Sequence, residues 1–316
     1  MAALAVLGAG CSGGGGSGAG ASATLGTRPS PDSTTTTVVL PSTTLPPAGP
    51  GALVTPTGVV VPVVSRDGDR WTVLTPCSRQ ATLTGGRHVP RVAVVLDAGH
   101  GGSDPGAVSP GGLRETTVNL AVTEYTRDAL EAAGVSVLMT RTGEYDLNLD
   151  VRAQIAIAVG AQAFVSIHHN AEPDGPWPGP GSEIYYQIAS PDSKRLSGLI
   201  YEEVVKTLSQ YDVAWVADFD AGVKYRPGSR GDYYAVLRQP GSIVSSLVEA
   251  AFITNPPEAA LLARPEVQRA EGEAIALGIL RYLRTNDPGS GFTEPYPRES
   301  PAGSGGGASG CVDPPL

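Results

Sequence analysis

No apolar run in these 316 residues reaches the roughly 18–20 needed to cross a bilayer as a helix. Basic side chains are in deficit, 22 Lys and Arg against 31 Asp and Glu, for a net charge of −9. A nucleic-acid binder would show a clustered basic footprint, so that class is excluded, as is adhesion to an anionic polymer by overall field. Cysteine is scarce, with three residues. Neither Cys77 nor Cys311 has a Cys or His neighbour at metal-site spacing, which argues against a thiolate metal centre.

Glycine and proline are abundant but unevenly placed. Before about residue 50 and after about residue 285 the chain turns to Gly, Ser, Thr and Pro with few large apolar residues. Such stretches bury too little surface to offset chain entropy, so both ends read as disordered: a signal remnant and Thr/Pro-rich linker over 1–50 and a tail over 286–316. The opening run Met1–Cys11, apolar, then small, then cysteine, looks like the end of a lipoprotein export signal with Cys11 as the lipidated residue, although the charged n-region is lacking. Export would leave Cys77 and Cys311 as a pair available for oxidation, a pairing left open because Cys311 sits in the glycine-rich tail.

Residues 51–88 alternate apolar and polar residues around Arg66-Asp-Gly-Asp69, a hairpin signal, and predict a small β-segment with strands over 59–64 and 71–74. From Arg91 onward strands and helices alternate. A continuous apolar run over 92–96 predicts a strand buried on both faces, and further strands are predicted over 135–139, 163–167, 183–188, 235–237 and 243–248. Helical spacing marks 116–133, 150–159 with Asp150 as N-cap, 194–208 and 267–283. The expected fold is α/β: one three-layer domain over 89–285, a twisted, mostly parallel sheet flanked by helices, with its binding groups at the C-terminal strand ends.

Three of those strands run into ionisable residues: the first into Asp97 and His100, the third into His168 and His169, the last into Glu249. Glu115 opens the first helix, so four groups converge on one rim. The blocks carrying them are Leu96-Asp-Ala-Gly-His-Gly-Gly-Ser-Asp-Pro-Gly-Ala107, Leu113-Arg-Glu-Thr-Thr-Val-Asn-Leu120, Phe164-Val-Ser-Ile-His-His-Asn-Ala171 and Leu247-Val-Glu-Ala-Ala-Phe-Ile-Thr-Asn-Pro256. In content, order and spacing they resemble the amidase-3 family of N-acetylmuramoyl-L-alanine amidases over about residues 91–285. That resemblance implies His100, Glu115 and His168 as ligands of one Zn2+ and Glu249 as the catalytic carboxylate. The chemistry is coherent: hydrolytic zinc takes three N/O ligands and leaves one position for water, whose proton a carboxylate can accept.

Other candidates read as bland. Adjacent strand residues face opposite ways, so His169 should not join His168 at a shared metal. His88 precedes the domain and reads as exposed. Asp97 reads first as a turn-ordering residue. Arg152 and Arg238, at positions where the family often carries arginine, read as structural at least as readily as substrate-contacting. The segments 177–182 and 212–233 lack helical periodicity and could form cleft walls.

The resemblance thus implies an extracytoplasmic, secreted or lipid-anchored monomer that cuts the bond between N-acetylmuramic acid and L-alanine in peptidoglycan during wall remodelling. A non-catalytic or auto-inhibited wall-binding protein on the same fold, answering to a regulatory segment or protein, is the alternative. A different zinc amide hydrolase, such as a peptidase or deacetylase, is a third.

Overall fold

Successive residues of a strand face opposite sides of its sheet, and in this chain that alternation assigns each strand residue to one of two cores. The structure, a computed structural model, describes residues 49–293 and 310–316. The expected signal remnant, Cys11 and nearly all of the N-terminal linker lie outside the described residues.

The described residues begin with five antiparallel strands, β1 (Ala52–Val54), β2 (Val60–Asp67), β3 (Arg70–Leu74), β4 (Gln80–Thr84) and β5 (Arg87–Val89), paired in the order β4-β3-β2-β1-β5. The α/β part then runs β6 (Val94–Ala98), α1 (Glu115–Ala132), β7 (Val137–Met139), α2 (Leu149–Ala158), β8 (Ala163–Asn170), β9 (Gly175–Pro176), β10 (Glu183–Tyr186) and α3 (Pro191–Leu208). It continues with β11 (Val216–Ala217), β12 (Gly222–Lys224), β13 (Pro227–Gly228), β14 (Gly231–Asp232), α4 (Ala235–Arg238), β15 (Val244–Phe252), α5 (Pro256–Leu262) and α6 (Pro265–Arg284). Its main sheet has the order β12-β10-β15-β8-β6-β7 and is parallel except between β10 and β15.

Val94 and Leu96, Val165 and Ile167, and Val248 face α1, α3 and α6 in one apolar core. Their sequence neighbours Val95, Phe164 and Leu247, with Tyr185 of β10, face α2, α4 and the N-terminal strands in a second. This is the expected three-layer arrangement. Following the alternation to the strand ends, His168, Glu249 and Glu183 fall on the α2/α4 side, and His169 falls on the α1/α6 side. The pleat therefore gathers the functional side chains on one face.

Three expectations are corrected. Residues 235–238 form a turn of helix, α4, not a strand; a short apolar run does not distinguish the two, and here Val236 and Leu237 are both buried against the second core. The N-cap of α2 is Asn148, and Asp150 instead accepts hydrogen bonds from Ser78 Oγ at 2.7 and 2.8 Å. Parts of the presumed disordered tail are packed. Val223 N donates to Gly291 O (2.7 Å) and Thr293 N to Val223 O (2.9 Å), so this segment covers the β12 edge of the sheet. At the end of the chain Cys311 forms a disulfide with Cys77. Asp313 accepts from Cys77 N and pairs with Arg79 at 2.7 Å, and Leu316 packs on the core of the N-terminal strands. The covalent tie and these bonds order a segment whose composition alone would leave it loose.

Candidate metal centre and its cleft

His100 leaves β6 through a turn that only a few backbone conformations allow. Its own φ is +62°, a left-handed value that is costly for a residue with a Cβ and is tolerated where the surroundings fix it. Two buried arginines do the fixing. Arg141 donates to the carbonyls of Ala98 and Gly99 (both 2.9 Å) and of Thr116 (2.7 Å). Arg152 donates to Ala98 O (2.7 Å) and His100 O (2.6 Å) and is paired with Asp97 at 2.8 Å. Glycine is required beside the imidazoles: a Cβ at Gly99 would lie 2.2 Å from the His168 ring, and one at Gly106 would lie 2.5 Å from Glu115 Oε2.

The result is a tight triangle of electron-pair donors. His100 Nε2 lies 3.0 Å from Glu115 Oε1, His168 Nδ1 lies 3.1 Å from the same oxygen, and the two ring nitrogens are 3.2 Å apart. Ligands held at about 2.0–2.1 Å around a tetrahedral ion stand roughly 3.3 Å from one another. Three such donors repel unless a proton or cation lies among them, so both spacing and donor chemistry fit a small divalent ion. Supporting bonds aim each donor. His100 Nδ1 is 2.9 Å from Asp104 Oδ2, the carboxylate–histidine arrangement that orients metal-binding imidazoles. Glu115 Oε2 accepts from Ala107 N at 2.8 Å, and Oε1 from Asn119 Nδ2 and His169 N, both at 3.2 Å.

Titration follows these contacts. Burial alone would lower His100, but its hydrogen bonds to Asp104 and Glu115 outweigh that and raise it to about 10. Burial and the neighbouring His100 lower His168. Glu115 is held well below the usual carboxylate range, its burial overcome by the two imidazoles.

Glu249 belongs to β15, in register with His168 of β8 on one side and Glu183 of β10 on the other. A register shift immediately after it bends the strand away. Its Oε2 is buried and has no hydrogen-bond partner among the described residues. Burial first, then the Glu115 and Glu183 carboxylates, push this carboxyl well above its ordinary range. A half-buried carboxyl with one sealed, unpartnered oxygen and a raised affinity for protons costs stability and is explained by work done on another molecule. His100, Glu115, His168 and Glu249 all line one cleft of about 1190 Å³.

The remaining candidates sort cleanly. The His169 ring turns away into the α1/α6 layer, with Nδ1 2.8 Å from Asn119 Oδ1 and Nε2 3.2 Å from Glu271. His88 stacks on Trp71 at 4.7 Å, in the N-terminal strands. Asp97 is fully buried, accepting from Thr140 (2.6 Å), Ser166 (2.7 Å) and Arg152, and acts beneath the site. Arg238 donates to the carbonyls of Asp232 and Tyr233. Of the two segments expected as cleft walls, the second supplies Arg226, Gly228, Ser229, Arg230 and Tyr233 to the cleft lining, while no residue of 177–182 lines it. Sequence reasoning passed over Asp104 and Asn119. Asn119 stands four places after Glu115 on α1, the spacing that returns a side chain to the same side of a helix, whereas Asp104 meets His100 across a non-helical turn closed by Gly101 and Asp104.

A family model described as N-acetylmuramoyl-L-alanine amidase, Amidase_3, matches residues 94–281. The amidase AmiC of Neisseria meningitidis serogroup B is 31% identical over 243 residues, covering 64% of this chain and 55% of its own length. The uncharacterized protein YqiI of Bacillus subtilis is 35% identical over 211 residues, covering 66% of this chain and 91% of its own. Among solved structures, the amidase AmiC2 of Nostoc punctiforme superposes with a TM-score of 0.51 at 34% identity, over 60% of this chain and 96% of that one. This chain thus spans little more than half of the Neisseria protein and nearly all of the other two. With the family's model matching over the sheet, helices and cleft described above, the chain belongs to the Amidase_3 family of N-acetylmuramoyl-L-alanine amidases.

Proposed function

We propose that this chain hydrolyses the amide between N-acetylmuramic acid and the L-alanine of the peptidoglycan stem peptide, with zinc held by His100, Glu115 and His168 and Glu249 as the acid–base residue. The observation that carries this reading is the unpartnered Glu249 carboxylate in the same cleft as a triangle of three electron-pair donors. What a bound zinc ion supplies is Lewis acidity, polarising the scissile carbonyl and bringing the pKa of a water toward 7. Glu249, destabilised as an anion by burial and by Glu115, is a strong acceptor for the proton of that attacking water. It then holds the proton for the departing amine of L-alanine, which must leave protonated at neutral pH. Asp104 and Asn119 keep the His100 ring and the Glu115 carboxylate aimed while this happens.

The substrate puts the place of action outside the cytoplasm, on the cell wall. Export with lipidation at Cys11 and a role in daughter-cell separation or autolysis complete the proposal, as does a division into a β-segment over 51–88 and a catalytic domain over 89–285. The test is release of peptides from purified peptidoglycan, with identification of the new muramic acid and L-alanine ends. Wild-type protein should release them in a chelator-sensitive manner and Glu249→Ala should release almost none. Equal release by both would overturn the mechanism. Release from free peptide or N-acetyl sugar, without a lactyl–peptide junction, would overturn the substrate.

A further inference from the structure

Residues 225–234 form a hairpin over the cleft, closed by pairing of Pro227 with Asp232 and Gly228 with Gly231 and by Tyr233 N donating to Arg226 O at 2.9 Å. Its base is fixed. Arg238 donates to the carbonyls of Asp232 (2.6 Å) and Tyr233 (2.8 Å), and Ile188 N donates to Asp232 Oδ1 (2.9 Å). Two guanidinium groups of the hairpin, those of Arg226 and Arg230, line the same cleft as Glu249 and the donor triangle. Arg226 is pre-oriented, its guanidinium carbon 3.7 Å from the centre of the Tyr233 ring, with one long hydrogen bond (3.5 Å) to Tyr234 OH. Arg230 at the tip is exposed and belongs to no ion pair among the described residues.

Glu249 apart, the cleft's other acidic groups and Arg152 are already engaged. Asp146 accepts from Ser103 N and Oγ and from Val312 N, Asp150 from Ser78, and Asp104 is held on His100. Arg152 spends its donors on Asp97 and three carbonyls. Among the described residues, the cleft's guanidinium groups that hold neither a carbonyl nor a carboxylate are therefore those of the hairpin, in a chain whose net charge is −9. Planar guanidinium donors without an acidic partner among the described residues, beside a site for a peptide, are complementary to a carboxylate. The Tyr233 face on which a sugar ring would stack is covered by Arg226.

We propose that Arg226 and Arg230 form a carboxylate-reading subsite that selects stem peptides bearing a free carboxylate beyond the scissile bond over the same peptides with that group amidated. This rests on the amidase reading above, and the experiment separates the two. The full chain loaded with zinc is given N-acetylmuramoyl-L-alanyl-D-isoglutamate and its D-isoglutamine counterpart, then longer stems amidated at the second or the third residue. Wild type should prefer an acid form by about 10- to 100-fold in kcat/KM, carried by KM, the scale of charge-assisted hydrogen bonds. The position whose amidation matters locates the carboxylate. By raising KM on the acid form, Arg230→Gln and Arg226→Gln should each bring the ratio toward one. Arg230→Lys should restore part of it, and the thermal midpoint of Arg230→Gln should match wild type. Cleavage of acid and amide forms at equal rates at every position, or a double variant that keeps the wild-type ratio, would overturn the subsite and leave the amidase reading standing. A folded, zinc-loaded protein that cleaves neither form would overturn both.

Discussion

Strand β15 separates two clusters of ionisable residues that look alike on paper and differ in kind. On the β8 side are His100, Glu115 and His168; on the β10 side are Glu183, Asp218 and Asp220; each offers three ligand atoms within 4.8 Å of one another. The second brings its own cation. Lys224 Nζ lies 3.0 Å from Glu183 Oε1 and 2.7 Å from Asp220 Oδ1, and Tyr185 OH donates to Glu183 Oε2 at 2.6 Å, all in a buried setting. In the first cluster the Glu115 carboxylate pairs only with imidazoles, and the group opens into a cleft. Charge compensated by a lysine of the chain makes a finished structural network; a carboxylate balanced only by a proton that an imidazole can give up makes a site that a metal ion can take over. Glu249, in register with both His168 and Glu183, feels the two clusters together.

The largest effect should come from removing the residue between them. Glu249→Gln keeps shape and removes the proton acceptor, so hydrolysis of muramyl peptide should fall by about 10²- to 10⁴-fold. Bound zinc should stay at one ion per chain, and the thermal midpoint should hold or rise, because a half-buried carboxyl with an unpartnered oxygen is replaced by a neutral amide. Activity within a few-fold of wild type would remove Glu249 from the chemistry. Next in size is Lys224→Met, which strips the second cluster of its cation and strands buried carboxylates. Breaking a buried pair this way costs about 3–5 kcal/mol, readable as a lower urea midpoint. If Lys224→Met instead bound a second zinc ion with little loss of stability, the two clusters would be the same kind of site after all.

How much of this could be read beforehand follows from what each residue depends on. The donor set was legible because it sits just past one strand, near the end of another and at the start of a helix, within local motifs, and alternation alone separated His168 from His169. Lys224 and Glu183 were not legible as a pair, since their meeting depends on β12 docking parallel to β10, a tertiary event no local pattern announces. The arginines beneath His100 are a related case. Arg152 could be anticipated as structural, whereas the meeting of Arg141 with carbonyls more than forty residues earlier could not. Packing of the chain's last residues was hidden for a further reason: composition argued for disorder, and the Cys77–Cys311 bond and Asp313 overrule composition.

That C-terminal tie reaches only one of the two clusters. Val312 N donates to Asp146 Oδ2 (3.0 Å), and Asp146 Oδ1 accepts from Ser103 N (2.6 Å), in the loop that carries His100 and Asp104. Cys311→Ser should lower stability by about 2–4 kcal/mol. More telling is where the loosening appears. Amide exchange should quicken in residues 101–106 and zinc should be lost at lower chelator concentration, with β12 unchanged. Equal loosening on both sides of β15 would show that the disulfide acts on the whole chain and not on the metal loop.

The smallest effect sharpens the comparison from the second cluster. Tyr185 is buried against Glu183, and burial, then the neighbouring Tyr234 and Glu183, raise its phenol well above the ordinary value; burial and Glu249 raise Tyr234 to about 12. A phenol whose folded pKa exceeds its unfolded one binds its proton more tightly when folded. Its stabilisation is therefore complete below about pH 10 and lost as pH rises from there toward the folded value. The two phenols should add no slope to the stability curve between pH 7 and 9, where the decline belongs to groups such as His100, and should weaken the fold above pH 10. Tyr185→Phe should cost about 1–3 kcal/mol near neutrality, because Glu183 loses a donor in a dry setting. Its alkaline decline should be shallower by up to about 1.4 kcal/mol per pH unit, the share of one titrating group. An unchanged slope would mean that the phenol ionises freely and that the second cluster is less sealed than the first, reversing the contrast across β15.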